Sequence, residues 1–119
     1  MTRAEFNISC NYWDRTDGNS IEIKKVKGYV VEYRGYWFGI HKNENKYEAT
    51  ELTTGFRMPE TEAQTIEQTV LNLKKATKKR LDTMNAAISS TKKYLKKKRV
   101  KFPVNNIKLL NYDSEGRIV

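Results

Sequence analysis

The stretch IEIKKVKGYVVEYRGYWFGIHKNENKYEATELT, residues 21–53, is dense in β-branched and aromatic residues and is cut twice by short turn signals. Ile21 and Ile23 alternate with polar residues, and the run to Tyr33 reads as one long strand, or as two short ones with Gly28 marking a bulge between them. Arg34-Gly35 separates it from a second apolar run, Tyr36 to Lys42, and Asn43-Glu44-Asn45 leads into a third, Lys46 to Thr53. Strands joined by such short turns pair with each other, so residues 20–58 are expected to form a three-stranded antiparallel meander. Upstream, Phe6, Ile8 and Cys10 alternate as in a short strand, and Asp14 to Asn19, DRTDGN, has the residue types of a turn. Its oxygen donors miss the spacing of a calcium loop.

Downstream, Thr54 to Pro59 breaks the strand pattern. Thr61 with Gln64 has the form of a capping box, which sets the expected start of a helix. Ile66, Val70, Leu73, Thr77, Leu81, Met84, Ile88, Thr91 and Leu95 recur at steps of three and four, one apolar stripe of helical period. A helix over residues 61–99 would be about 57 Å long at about 1.5 Å per residue, more than three strands can cover. It should therefore bend near Asn85 to Ser90, or pack its distal half against the terminal segments or a second copy of the chain. The stripe slips phase between Thr77 and Leu81, which disfavours a long coiled coil. Pro103 ends any helix, and in the C-terminal segment, residues 100–119, Val104 to Tyr112 reads as a short strand, with Asp113 to Gly116 turning into Ile118-Val119. The fold class expected is α+β, in one domain of 119 residues.

Composition narrows the chemistry. Cys10 and His41 are the only residues of their kinds, which removes intramolecular disulfides, cysteine-rich zinc sites and paired-histidine metal sites. A Cys10–His41 dyad is the one combination left, against a reading of a small buried thiol and a polar strand histidine. Glu44, Glu48, Glu51, Glu60 and Glu62 are close enough in sequence for a metal-dependent nuclease to be conceivable, but no phosphate loop, nucleotide fingerprint or nucleophile elbow occurs. The expectation is a non-enzymatic protein without a cofactor. No apolar run reaches the length of a membrane span, and the start, MTRAEFNISCNYWD, lacks the apolar stretch of a secretion signal, so a cytoplasmic location is expected.

The formal charge is +9, and residues 61–99 hold eleven lysines and arginines against three carboxylates, a local balance of +8. Lys74, Lys75, Lys78, Lys79 and Arg80 form one patch, and Lys92, Lys93, Lys96, Lys97, Lys98 and Arg99 a second. Both lie away from the apolar stripe. Like charges at this spacing repel, which favours an anionic partner, although a solvated face is the plain alternative. The second candidate surface is aromatic. Alternation puts Phe38 and Ile40 on one side of the meander and Trp37 and His41 on the other, where Trp37, flanked by Arg34, Lys42 and Lys46, can stack on bases or anchor a protein.

The segment YRGYWFGIHKNENKYEATELTTGFRMPETEAQTIEQ, carried by Tyr33, Gly35, Phe38, Gly39, His41, Lys42, Thr50-Glu51 and Thr54-Gly55, resembles one found in small proteins of phages and mobile elements of low-GC Gram-positive bacteria. That resemblance implies a phage setting, in the host cytoplasm, and no particular activity. In arrangement alone, three strands and a helix are similar to the arm-binding domains of tyrosine integrases and to the ethylene-response DNA-binding domains. The longer, more basic helix here departs from both. Two readings follow: an accessory protein that binds nucleic acid through the lysine-rich helix, or an inhibitor of a host nucleic-acid-dependent defence enzyme, of anti-CRISPR type, that binds a nucleoprotein. A homodimer is compatible with either.

Overall fold

The computed structural model describes residues 2–16 and 18–106. The architecture is α+β, with a four-stranded antiparallel sheet followed by two helices. The strands are β1 (Thr2–Asp14), β2 (Gly18–Tyr33), β3 (Tyr36–Asn43) and β4 (Lys46–Glu51), adjacent in chain order. The meander therefore has one strand more than the expected three. The N-terminal strand, expected to be short, runs 13 residues and pairs with β2 along its whole length, from Thr2 opposite Val30 to Asp14 opposite Gly18. Alternation at Phe6, Ile8 and Cys10 marked only its middle, because the half-buried positions before it are the small or polar Thr2 and Ala4 and residues 11–13 after it are all exposed.

β2 is one strand of 16 residues with an unbroken register on both sides of Gly28, so there is no bulge there. Gly28 serves a different need. It lies with Gly39 under the Phe6 ring, and a β-carbon on Gly39 would come within 2.5 Å of ring atoms. A β-carbon on Gly28 would collide with the Ile40 carbonyl oxygen. Two glycines placed diagonally on neighbouring strands, Gly28 opposite His41 and Gly39 opposite Val30, thus open the space that lets Phe6 sink to 2% exposure. The β2–β3 turn has two residues, Arg34 and Gly35, both at positive φ (52° and 84°), the conformation that matches the twist of a tight hairpin.

The sheet buries both faces. On one, Phe38, Ile40 and Ala49 pack with Met58, Leu73 and Met84 beneath the helices. On the other, Phe6, Val30 and Leu52 form a second cluster, bordered by Ala4, Ile8, Val26 and Trp37. The face that carries Trp37 and His41 is thus not open, and the segment after β4 reaches the outer edge of β1. Ser9 N–H donates to the Gly55 carbonyl at 2.7 Å, and the Ser9 hydroxyl to the Thr54 carbonyl at 2.8 Å. Asn105 completes the seam. Its side chain accepts from Asn7 N–H at 2.7 Å and donates to the Asn7 and Leu52 carbonyls, each at 2.8 Å.

The helical segment is α1 (Ile66–Lys79) and α2 (Met84–Lys97), joined by a single 3-10 turn over Leu81–Thr83. The continuous helix over 61–99 is thus corrected, and the break lies at Arg80–Thr83, where the stripe slipped phase, rather than at Asn85–Ser90. With the break the chain has a longest extent of 44 Å, shorter than the roughly 57 Å of an unbroken helix over these residues. The start is corrected too. Thr61 is fully buried, donating to the Met58 carbonyl and accepting from Ala49 N–H. Ala63 then bridges Tyr47. The N-cap is Thr65, whose hydroxyl accepts from Gln68 N–H at 3.1 Å, the same Thr-x-x-Gln spacing four residues later. The distal helix packs on its own chain: Met84 enters the main core, Leu95 is fully buried, and Lys98 donates to the Asn19 carbonyl at 2.5 Å. Residues 104–106 lie in a bend and an irregular segment, not the expected strand, and the rest of that strand, with the turn and strand after it, lies outside the described residues.

Candidate nucleic-acid interface

Each helix buries one face and turns lysines outward on the other. In α1 the buried residues are Thr69, Leu73, Ala76 and Thr77; at about 100° per residue, Lys74, Lys75, Lys78 and Lys79 project from the opposite half, and all are exposed. In α2, Met84 and Leu95 are buried, and Lys92, Lys93, Lys96 and Lys97 are exposed. Among the described residues, the only carboxylate in ion contact with these cations is Glu60, 3.7 Å from Lys79 and 3.5 Å from Arg80. Arg80 is partly buried, and its contact with Glu60 is an ion pair rather than an aligned hydrogen bond.

Two of the sequence-selected residues meet although they are forty positions apart. The Arg34 guanidinium lies 5.5 Å from the Tyr33 ring centre and the Lys74 ammonium 5.8 Å from the same centre. The Arg34 Nε–H also donates to the Tyr33 hydroxyl at 3.2 Å. The tip of the β2–β3 hairpin thereby extends the cationic face of α1. Toward the end of α2, Lys92 sits 5.4 Å from the Phe102 ring and Lys98 5.9 Å from Tyr94.

The other two are placed apart. Lys42 is exposed near the end of β3, opposite Tyr47. Trp37 is on the sheet face away from α1, as alternation requires, and is half-buried against the Phe6, Val30 and Leu52 cluster. It does not share a surface with the lysines of α1. The accessible aromatics lie elsewhere, at Tyr12 (47% exposed) and Trp13 (68%) near the tip of the β1–β2 hairpin. The sequence signal was available: an aromatic pair directly before the DRTDGN turn has no further strand to pack on.

His41 and four of the five glutamates have partners that account for them, and Glu44 is exposed on the β3–β4 turn. The His41 Nε2 lies 3.3 Å from Glu48 Oε1 and 3.4 Å from the Thr50 hydroxyl, and Glu48 Oε2 lies 3.6 Å from Arg57, which holds Glu62 at 2.5 Å. This chain ties β3 and β4 to the segment ahead of α1. Glu51 is buried and accepts from Thr53 N–H, the Thr53 hydroxyl and Thr54 N–H at 2.9, 2.6 and 2.9 Å, fixing the turn after β4. Cys10 and His41 pair with Glu22 and Gly28 of β2, about 20 Å apart at ~3.3 Å per residue, so they form no dyad. Among the described residues no three His, Cys, Asp or Glu side chains converge to hold a metal ion, and no helix is long and apolar enough to cross a membrane. No family model matches the chain, and comparison with curated proteins and with solved structures gives no match either.

Proposed function

We propose that this protein is a non-enzymatic nucleic-acid-binding accessory protein of a phage or mobile element, which holds the phosphate backbone on the outward faces of α1 and α2. The observation that carries this reading is the set of eight exposed helix lysines with almost no internal counter-charge. Such a face is stabilised when phosphates replace condensed counterions. Arg34, brought to Lys74 by their shared Tyr33, adds a contact from the sheet.

Fluorescence anisotropy with nonspecific duplex and single strand at several salt concentrations tests it. The logarithm of affinity should fall with the logarithm of salt at about 0.9 per phosphate contact for duplex and about 0.7 for single strand. Replacing Lys74, Lys75, Lys78 and Lys79 with serine should flatten the duplex slope by up to about 3.6 units, about 0.9 for each lysine, with the circular dichroism unchanged. Absence of binding by the folded protein at low salt refutes the reading. A second reading, an inhibitor that docks on a host nucleic-acid-dependent enzyme, draws on the exposure of Tyr12 and Trp13, since aromatics of this kind anchor protein interfaces. Trp13→Ala separates the two: it should leave the salt slope unchanged in the first case and abolish enzyme capture in the second.

A further inference from the structure

β3 pairs with β2 only from Gly28 to Tyr33, while β1 pairs with it down to Gly18. From Gly18 to Lys27, β2 is therefore an edge strand. The polarity of that edge follows from the register. Asn7 and Ser9 bond outward from β1, so the even residues of β1 face β2; their partners are the even residues of β2, and the odd ones, Asn19 to Lys27, turn N–H and C=O to the open side. Among the described residues, the only hydrogen bond made to the open side of this edge is from Lys98 to the Asn19 carbonyl. Glu22, Ile23, Lys24 and Lys25 form an exposed run at its centre, with Ile23 at 39%.

We propose that this edge pairs with the same edge of a second copy of the chain, antiparallel about a two-fold axis at Ile23. Symmetry permits only registers that place residues of equal parity opposite each other, because a two-fold perpendicular to the sheet keeps each face on its own side. Centring on Glu22, Lys24 or Lys25 sets like charges directly against each other, which is destabilising. Centring on Ile23 sets Ile23 against Ile23 of the second copy and Glu22 against Lys24 twice, in the close, non-hydrogen-bonded positions. Glu22 and Lys24 already lie side by side on one face, 3.9 Å apart. Ile21, Ile23 and Lys25 would supply about six main-chain hydrogen bonds. Lys98, at the Asn19 carbonyl, limits the pairing to this central stretch. The hairpin arm is also where two copies of a +9 chain can approach, since over residues 5–27 its four lysines and arginines balance its four aspartates and glutamates.

Sedimentation of the nuclease-treated full chain over a concentration series tests the pairing. A concentration-dependent monomer–dimer equilibrium is expected, weakened at least tenfold by Glu22→Lys or Lys24→Glu alone and restored by the two together, because the double reversal re-forms both ion pairs. Ile23→Lys should also give a monomer, with circular dichroism reporting an intact fold. A wild-type chain that remains monomeric to about 1 mM, the limit of a weak specific contact, overturns the proposal. So does a dimer that the single reversals leave intact, which would place the contact elsewhere.

Discussion

Gly39→Ala adds one methyl group to the centre of β3, and in most strands it would be neutral or stabilising, since alanine restricts the unfolded chain more than glycine does, by about 0.4–1 kcal/mol. Here the added carbon meets three atoms of the Phe6 ring at 2.5, 2.5 and 2.9 Å, well inside the usual contact distance of about 3.5–4.0 Å. The ring is 2% exposed and edge-on to His41 at 6.0 Å between centroids, so it has no open side to move into. Overpacking of this kind costs about 1–3 kcal/mol, and a lowering of the melting temperature by roughly 4–12 °C follows for a domain of this size. Phe6→Leu removes the obstacle and leaves a partial cavity of its own. In the double variant the two defects fill each other, so the combined loss should fall short of the sum by at least about 1 kcal/mol. Urea unfolding of the four proteins in the cycle measures this. If Gly39→Ala is as stable as the parent, or if the two losses simply add, Phe6 does not occupy the space above Gly39 and the account of the second core is wrong.

Three further outcomes follow. Glu51→Gln replaces one of the two acceptor oxygens with an NH2 group, so that either Thr53 or Thr54 loses its acceptor, and should lower stability by about 1–3 kcal/mol in urea titration, a larger loss than Glu44→Gln on the exposed β3–β4 turn. Thr61→Ala should destabilise more than Thr65→Ala, because the first leaves the Ala49 N–H without its acceptor in the core, about 1–3 kcal/mol, whereas the second removes a helix cap worth about 1 kcal/mol; equal losses would return the helix start to Thr61. Trp37→Ala should lower the melting temperature while leaving the duplex salt slope intact, since its side chain packs on the Phe6 cluster and not among the lysines; a change in slope would bring the sheet face into the interface.

The strands and the lysine faces were legible because each depends on local pattern. Tyr33, Arg34 and Gly35 announce a hairpin by residue type, and Lys74 to Lys79 point outward wherever the apolar stripe points in. What could not be read depends on contacts between distant positions. Nothing near Gly28 and Gly39 says that they make room for Phe6, so a bulge was the better local reading. The capping motif occurs at both Thr61 and Thr65, and only the pairing of Ala63 with Tyr47 decides between them. The second buried face was invisible for the same reason. It requires Asn105 to be recognised as the partner of Asn7, and local pattern assigned Asn105 to a short strand after Pro103.

The Asn7–Asn105 seam also sets an order of events during synthesis. The two residues are 98 positions apart, so β1 leaves the ribosome long before the side chain that closes its outer edge has been made. The β1–β2 hairpin and then β3 and β4 can form in sequence, each pairing with the strand just completed. Through that interval the outer edge of β1 is a template for any other extended chain. The Gly55 carbonyl reaches Ser9 first, after about half of the chain, and Asn105 follows only when the helices are complete. A chain stopped between these points holds all four strands, but its edge stays half sealed. Premature termination after α2 should therefore produce a protein that aggregates through its N-terminal strand, although every helix and strand among the described residues has already been translated.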